Sequence, residues 1–171
     1  MIINAEIISR PDSGEYMERI YDVESAWNSQ SWTFVRFTDE NYEQWCGQFR
    51  GERKRVAISE ISKRVLILTS DYLFSIDLNN GDLIEFDNSP GYINLIAIND
   101  GNFLVSDYYN ITKILDKLSN TKHIESPIQM DVIKFELWDG NFLNFSCDEF
   151  LNWDRHLKMR YNSKTDEVKI L

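Results

Sequence analysis

The chain is poor in residues that cross-link or sharply bend a small domain: of 171 residues, two are cysteine, two histidine, three proline and seven glycine. Cys46 and Cys147 stand far apart, so at most one disulfide is available and the dense framework of a small secreted scaffold is excluded. Neither they nor His123 and His156 stand at zinc-ligand spacing, and no metal or other cofactor is expected. The glycines build no phosphate-binding loop and no dinucleotide fingerprint, and there is no Gly-x-Ser-x-Gly elbow. Apolar runs stop far short of the roughly 20 residues that span a bilayer, so no membrane helix is expected. The opening Met1-Ile-Ile-Asn-Ala-Glu-Ile-Ile has no basic lead-in and no small-residue cleavage site, which makes cytoplasm the expected compartment. Outside an export route, the Asn110-Ile111-Thr112 sequon carries no weight.

Positive charge is the other shortage. Asp and Glu number 28 against 18 Lys and Arg, a net charge of −10. Such a chain repels phosphate, because nucleic-acid affinity rests on Lys and Arg displacing counterions, and it attracts basic partners. The surplus is uneven. Residues 1 to 49 hold nine acids and three bases, residues 50 to 64 six bases and two acids, and residues 65 to 112 seven acids with no Lys or Arg. The basic stretch Arg50-Gly-Glu-Arg-Lys-Arg55, with Lys63 and Arg64, reads as a charged hairpin between strands Trp45 to Phe49 and Val56 to Ile58.

Hydrophobic residues reach 43% and aromatics 13%, enough to exclude disorder and to fill one core, so a single domain over 1–171 is expected. The periodicity is that of strands. Trp32 to Thr38, Arg64 to Thr69, Tyr72 to Asp77 and Asp82 to Asp87 are short and rich in β-branched and aromatic residues. Turn-formers separate the strands: Asn79-Asn80-Gly81, Ser89-Pro90-Gly91, Asp100-Gly101 and Asp139-Gly140. His156 to Tyr161 and Glu167 to Leu171 form a closing hairpin. The expected fold is all-β, or β-rich with one or two short helices, in a mainly antiparallel meander that is propeller-like or a sandwich. The helices would be Asp39 to Trp45, behind Thr38 as N-cap, and Asp148 to Trp153. Residues 12 to 27 fit helix or strand.

Asp100-Gly-Asn-Phe-Leu104 recurs as Asp139-Gly-Asn-Phe-Leu143, and Leu66 to Phe86 has the rhythm of a propeller blade. Two hairpins of similar chemistry account for the recurrence, and a complete closed propeller would strain this length. Alternation places Phe74, Ile76, Ile84 and Phe86 inward, with Glu85 and Asp87 outward on an acidic face shared by neighbouring strands.

Carboxylates are too many and too unspecific to define an acid–base pair. Asp77-Leu-Asn-Asn-Gly-Asp82 misses the register of a calcium loop, since Gly81 falls one place early. Both cysteines read as packed thiols. Trp32, Trp45 and Trp138 lie in or beside apolar strands and belong to the core, whereas Trp27 and Trp153 are unassigned. Tyr108 and Tyr109, in the loop-like Ser106 to Asn110, suit an interface. The partner-binding candidates are therefore Asp71, Asp77, Glu85, Asp87, Asp100, Asp107, Tyr108 and Tyr109.

In small size, acidity, β character, aromatic excess and absence of catalytic chemistry, the chain resembles the immunity proteins that bacteria keep beside polymorphic or contact-dependent growth-inhibition toxins. That resemblance implies a cytoplasmic antitoxin, not an enzyme, whose acidic surface docks on a basic toxin domain such as a nuclease and blocks it. It covers composition over the whole chain and carries no motif onto which family residues map. Two other readings stand beside it: a carbohydrate- or small-ligand-binding or hydrolysing β domain using carboxylates and aromatics, and a subunit of a larger assembly with open, apolar sheet edges.

Overall fold

Alternation of inward apolar and outward polar residues is clearest in Phe142–Glu149, where Leu143, Phe145 and Cys147 are buried and Asn144, Ser146 and Asp148 are not. Segments of this kind make sixteen strands in the computed structural model, which describes residues 1–23, 29–88 and 90–171, the side chain of Trp153 excepted. Among the described residues there is no helix, and the all-β expectation holds. Trp27, Ser89 and residues 24–27 of the ambiguous 12–27 stretch lie outside the described residues.

The strands form four sheets of four. The first contains β1 (Ile2–Ile8), β2 (Met17–Tyr21), β3 (Trp32–Asp39) and β4 (Gln44–Arg50) in the order β1-β3-β4-β2, with β2 running parallel to β4. The others are up-and-down meanders: β5 (Arg53–Ser59), β6 (Arg64–Thr69), β7 (Tyr72–Asp77) and β8 (Leu83–Asn88); then β9 (Asn94–Ala97), β10 (Phe103–Ser106), β11 (Ile111–Ile114) and β12 (Thr121–Ile124). The last comprises β13 (Met130–Asp139), β14 (Phe142–Glu149), β15 (Asn152–Asn162) and β16 (Glu167–Ile170). Four-stranded antiparallel meanders are the unit from which propeller blades are made. The repeated Asp-Gly-Asn-Phe-Leu occupies the same place in two of them, the turn into the second strand, and buries Leu104 and Leu143.

The chain divides into two compact units, Met1–Gly91 and Tyr92–Leu171, each with its own core. The first core is aromatic: Phe37 stacks on Trp45 with centroids 4.2 Å apart, and Tyr21 on Phe49 at 4.5 Å. Gly47 is required there, because a Cβ would fall 2.7 Å from the Phe49 ring and 2.8 Å from that of Phe37. The second core packs Leu104 and Ile111 with Leu143, Phe145, Met159 and Tyr161.

Several local expectations are corrected. Asp39 to Trp45 is a turn leading into β4: the Asp39 carboxylate accepts from the amides of Asn41 and Glu43 at 2.8 and 2.9 Å, and its own amide donates to the Glu43 carbonyl. Asp148 to Trp153 is strand, turn, strand, because Leu151 has φ 62°, which no right-handed helix accepts. The basic stretch after Arg50 is no hairpin; β4 and β5 belong to different sheets. The sidedness of β8 is as expected, since Phe86 pairs with the buried Phe74 and Glu85 with Ser75. But β8 is the edge strand of its sheet, so Ile84 and Phe86 stay half exposed and Glu85 and Asp87 are less exposed than they are.

Candidate functional site

The second unit carries a cluster of exposed aromatics raised on two turns. Between β10 and β11, the Asp107 carboxylate accepts hydrogen bonds from the amides of Tyr109 at 2.7 Å and Asn110 at 2.6 Å. A short acidic side chain thus closes the turn and turns Tyr108 and Tyr109 outward, each about half exposed. Between β14 and β15, Phe150 and Leu151 form the tip, held by the Phe150 amide donating to the Gln129 carbonyl at 2.9 Å. Phe150 meets Tyr109 edge-on at 5.8 Å between centroids, and Tyr108 lies 6.3 Å from Tyr109.

Beside this cluster is a groove of about 600 Å³, walled by the link from β12 to β13, with His123, Glu125 and Gln129 as its polar groups and Ile128 and Met130 as apolar ones. Two residues next to the cluster hold backbone conformations that bulky side chains avoid: Leu151 at φ 62° and Val132 at φ 52°. Leu151 is also 75% exposed, so the strained turn presents an apolar knob to solvent. The Ile133 amide, next to Val132, reaches the Tyr108 carbonyl at 3.4 Å and ties β13 to the tyrosine turn.

The acids named from the sequence are distributed differently. Asp71 is buried and accepts from the Ser70 hydroxyl at 2.6 Å. Asp77 closes the β7–β8 turn by accepting from the amides of Asn79 and Asn80. Glu85 faces the buried Arg64 at 3.7 Å, and Asp87 is half buried, which raises its carboxyl pKa. Asp100 accepts from the Asn102 amide and pairs with Lys113 at 2.8 Å. Asp71, Asp77, Glu85 and Asp87 lie on strands and turns of the first unit, and Asp100, itself exposed, pairs with the buried Lys113 of the second. Of the eight named residues, the structure brings Asp107, Tyr108 and Tyr109 together in one turn, and Tyr109 lines the groove. Phe150, Leu151 and the His123 to Gln129 wall were missed; the available signal was the Phe150-Leu151 pair, apolar residues at what is a hairpin tip.

Arg50, the first basic residue after Phe49, is equally occupied. The Arg50 guanidinium stacks over Trp32 at 4.7 Å and pairs with Asp22 at 2.7 Å. Both cysteines are free and buried, and burial pushes each thiol up to about 11, so neither supplies a thiolate near neutral pH. Trp45 is in the first core as expected, and Trp138 packs at the margin of the second, 6.5 Å from Tyr161. Trp32 is half exposed.

No protein-family model matches the sequence, and no curated protein does. Among solved structures, the chain is similar to the extracellular domain of the putative one-component system BT4673 from B. thetaiotaomicron. The identity is 15% and the TM-score 0.56, over 80% of this chain and 20% of that one. It is also similar to dihydro-heme d1 dehydrogenase NirN, at 14% identity and TM-score 0.50, over 77% of this chain and 32% of that one. The N-terminal domain of Nup159 matches at 13% identity and TM-score 0.49, over 71% and 34%. The chain thus spans between a fifth and about a third of the length of these structures, and at such identity the likeness to the first two concerns fold alone.

Proposed function

We propose that this chain is a non-enzymatic protein-binding module, an immunity protein of the antitoxin kind, that docks a basic partner domain through the aromatic face of its second unit. The observation that carries this reading is the exposed cluster of Tyr108, Tyr109, Phe150 and Leu151, built on a carboxylate-closed turn and a strained hairpin tip. Tyrosine and phenylalanine in such a setting supply large contact area at little entropic cost, the composition of an interface hot spot. The net charge of −10 steers a cationic partner and raises its association rate, while the aromatics set the rate of release. Glu125, exposed in the groove wall, is a carboxylate for a partner's Lys or Arg.

The test is coexpression with the protein encoded immediately upstream. A cationic C-terminal domain should copurify with this chain as a stoichiometric complex. Tyr109→Ala with Phe150→Ala should weaken that complex at least thirtyfold. Absence of a complex, or a complex indifferent to the double substitution, would overturn the reading.

A further inference from the structure

The first unit has a second concavity, unlike the aromatic groove in chemistry. It is about 720 Å³ and lies over the outer face of the first sheet. Its apolar wall is Trp32 and Phe34, two positions apart on β3 and therefore on one face. Its polar wall comes from three other segments: Gln48 on β4, paired across the strands with Phe34; Glu18 on β2; and Arg10 and Asp12 in the link between β1 and β2.

The site is preorganised. Trp32 is clamped by the Arg50 guanidinium, which is itself anchored on the Asp22 carboxylate at 2.8 Å and the Ser29 carbonyl at 2.7 Å. The Gln48 amide donates to Glu18 at 2.6 Å, which fixes both side chains while leaving an oxygen acceptor on each. The groove thus pairs a fixed aromatic surface with carboxylate, amide and guanidinium groups, one wall apolar and the others rich in donors and acceptors.

We infer that this groove binds a neutral oligosaccharide. Sugar rings have an apolar C–H face that stacks on an indole and a rim of hydroxyls that both donate and accept. Carboxylates and amides accept from such hydroxyls, and a guanidinium donates to them. The charge narrows the class, since Asp12 and Glu18 outnumber Arg10 and an acidic or phosphorylated sugar is repelled. An apolar peptide finds little here beyond the two rings. The inference rests on the first unit alone and stands apart from the proposed protein-binding face.

The experiment is calorimetric and fluorescence titration of the full chain with cellohexaose, xylohexaose, chitohexaose and maltohexaose, with oligogalacturonate and hexalysine as charged controls. At least one neutral hexamer should bind saturably. Trp32→Ala and Glu18→Gln should each weaken it at least tenfold, Tyr109→Ala should leave it unchanged, and oligogalacturonate should not bind. Gln48→Ala, a change at the surface of the sheet, provides the same test if Trp32→Ala fails to fold. No saturable response to any of the four, binding equal in all the groove variants, or binding of hexalysine alone would overturn the inference.

Discussion

Lys113 Nζ lies 2.8 Å from the Asp100 carboxylate and 3.1 Å from that of Asp166, with 8% of its side chain exposed. Asp166 also accepts from Lys122 at 2.8 Å and from the Tyr161 hydroxyl at 2.5 Å, so the β15–β16 turn is fastened to β11 and β12. Burial alone would raise the pKa of both acids, but hydrogen bonds from Lys113, and for Asp166 also from Lys122 and Tyr161, outweigh it and hold each below the usual aspartate value. A carboxyl with a lowered folded pKa adds stability that is complete above its unfolded value and lost as pH falls through the folded one. Chemical denaturation should therefore show stability roughly constant from pH 7 to about 5 and falling below about 4. Asp166→Asn, which suits the positive φ of 57° at this position, should cost about 2–3 kcal/mol at pH 7 and flatten the acid limb. An unaltered acid limb would show that the network does not set it.

The same network separates acids that build the fold from those free to meet a partner. Asp100→Lys sets a second cation against Lys113 and should cost more than about 3 kcal/mol, lowering the thermal midpoint markedly. Glu125→Lys, on the exposed groove wall, should change stability by less than about 0.5 kcal/mol while slowing association with a cationic partner. Stopped-flow kinetics at two salt concentrations measures the latter, and an unchanged rate would remove Glu125 from the partner's approach.

The turns were legible because their chemistry is local. Asn79-Asn80-Gly81, Asp100-Gly101 and Asp139-Gly140 need positive φ at glycine, and the structure places each glycine there. The helix expected over Asp39 to Trp45 failed for a related reason. An acid behind Thr38 reads as a capped helix start, but the same carboxylate satisfies the two amides of a tight turn equally well. What stayed illegible is set by distant partners. The parallel pairing of β2 with β4 depends on where residues far apart in the chain meet, and the exposure of Ile84 and Phe86 follows from the place of β8 at the edge of its sheet. At the candidate site, Tyr108 and Tyr109 were visible as aromatics in a turn, whereas Phe150 was hidden in what read as a helix.

Cys46 and Cys147 should be inert in the native protein. Both are almost completely buried and protonated well past pH 8, with thiols pushed up to about 11. A disulfide-exchange reagent at pH 8 should label neither over an hour in buffer and both in denaturant. Rapid native labelling of either would show that its strand opens.

Leu151 joins the strain and the function of the candidate site. A leucine at φ 62° pays for a conformation that asparagine or glycine adopts readily, and at 75% exposure it recovers little through burial. Leu151→Asn should therefore stabilise the protein by about 0.5–1 kcal/mol, read as a higher denaturation midpoint with an unchanged slope. If the knob at the hairpin tip enters a partner's surface, the same substitution should weaken the complex at least fivefold. Tighter folding together with weaker binding is the pattern of a residue kept for its partner; a variant that is more stable and binds equally well would leave the leucine outside the interface.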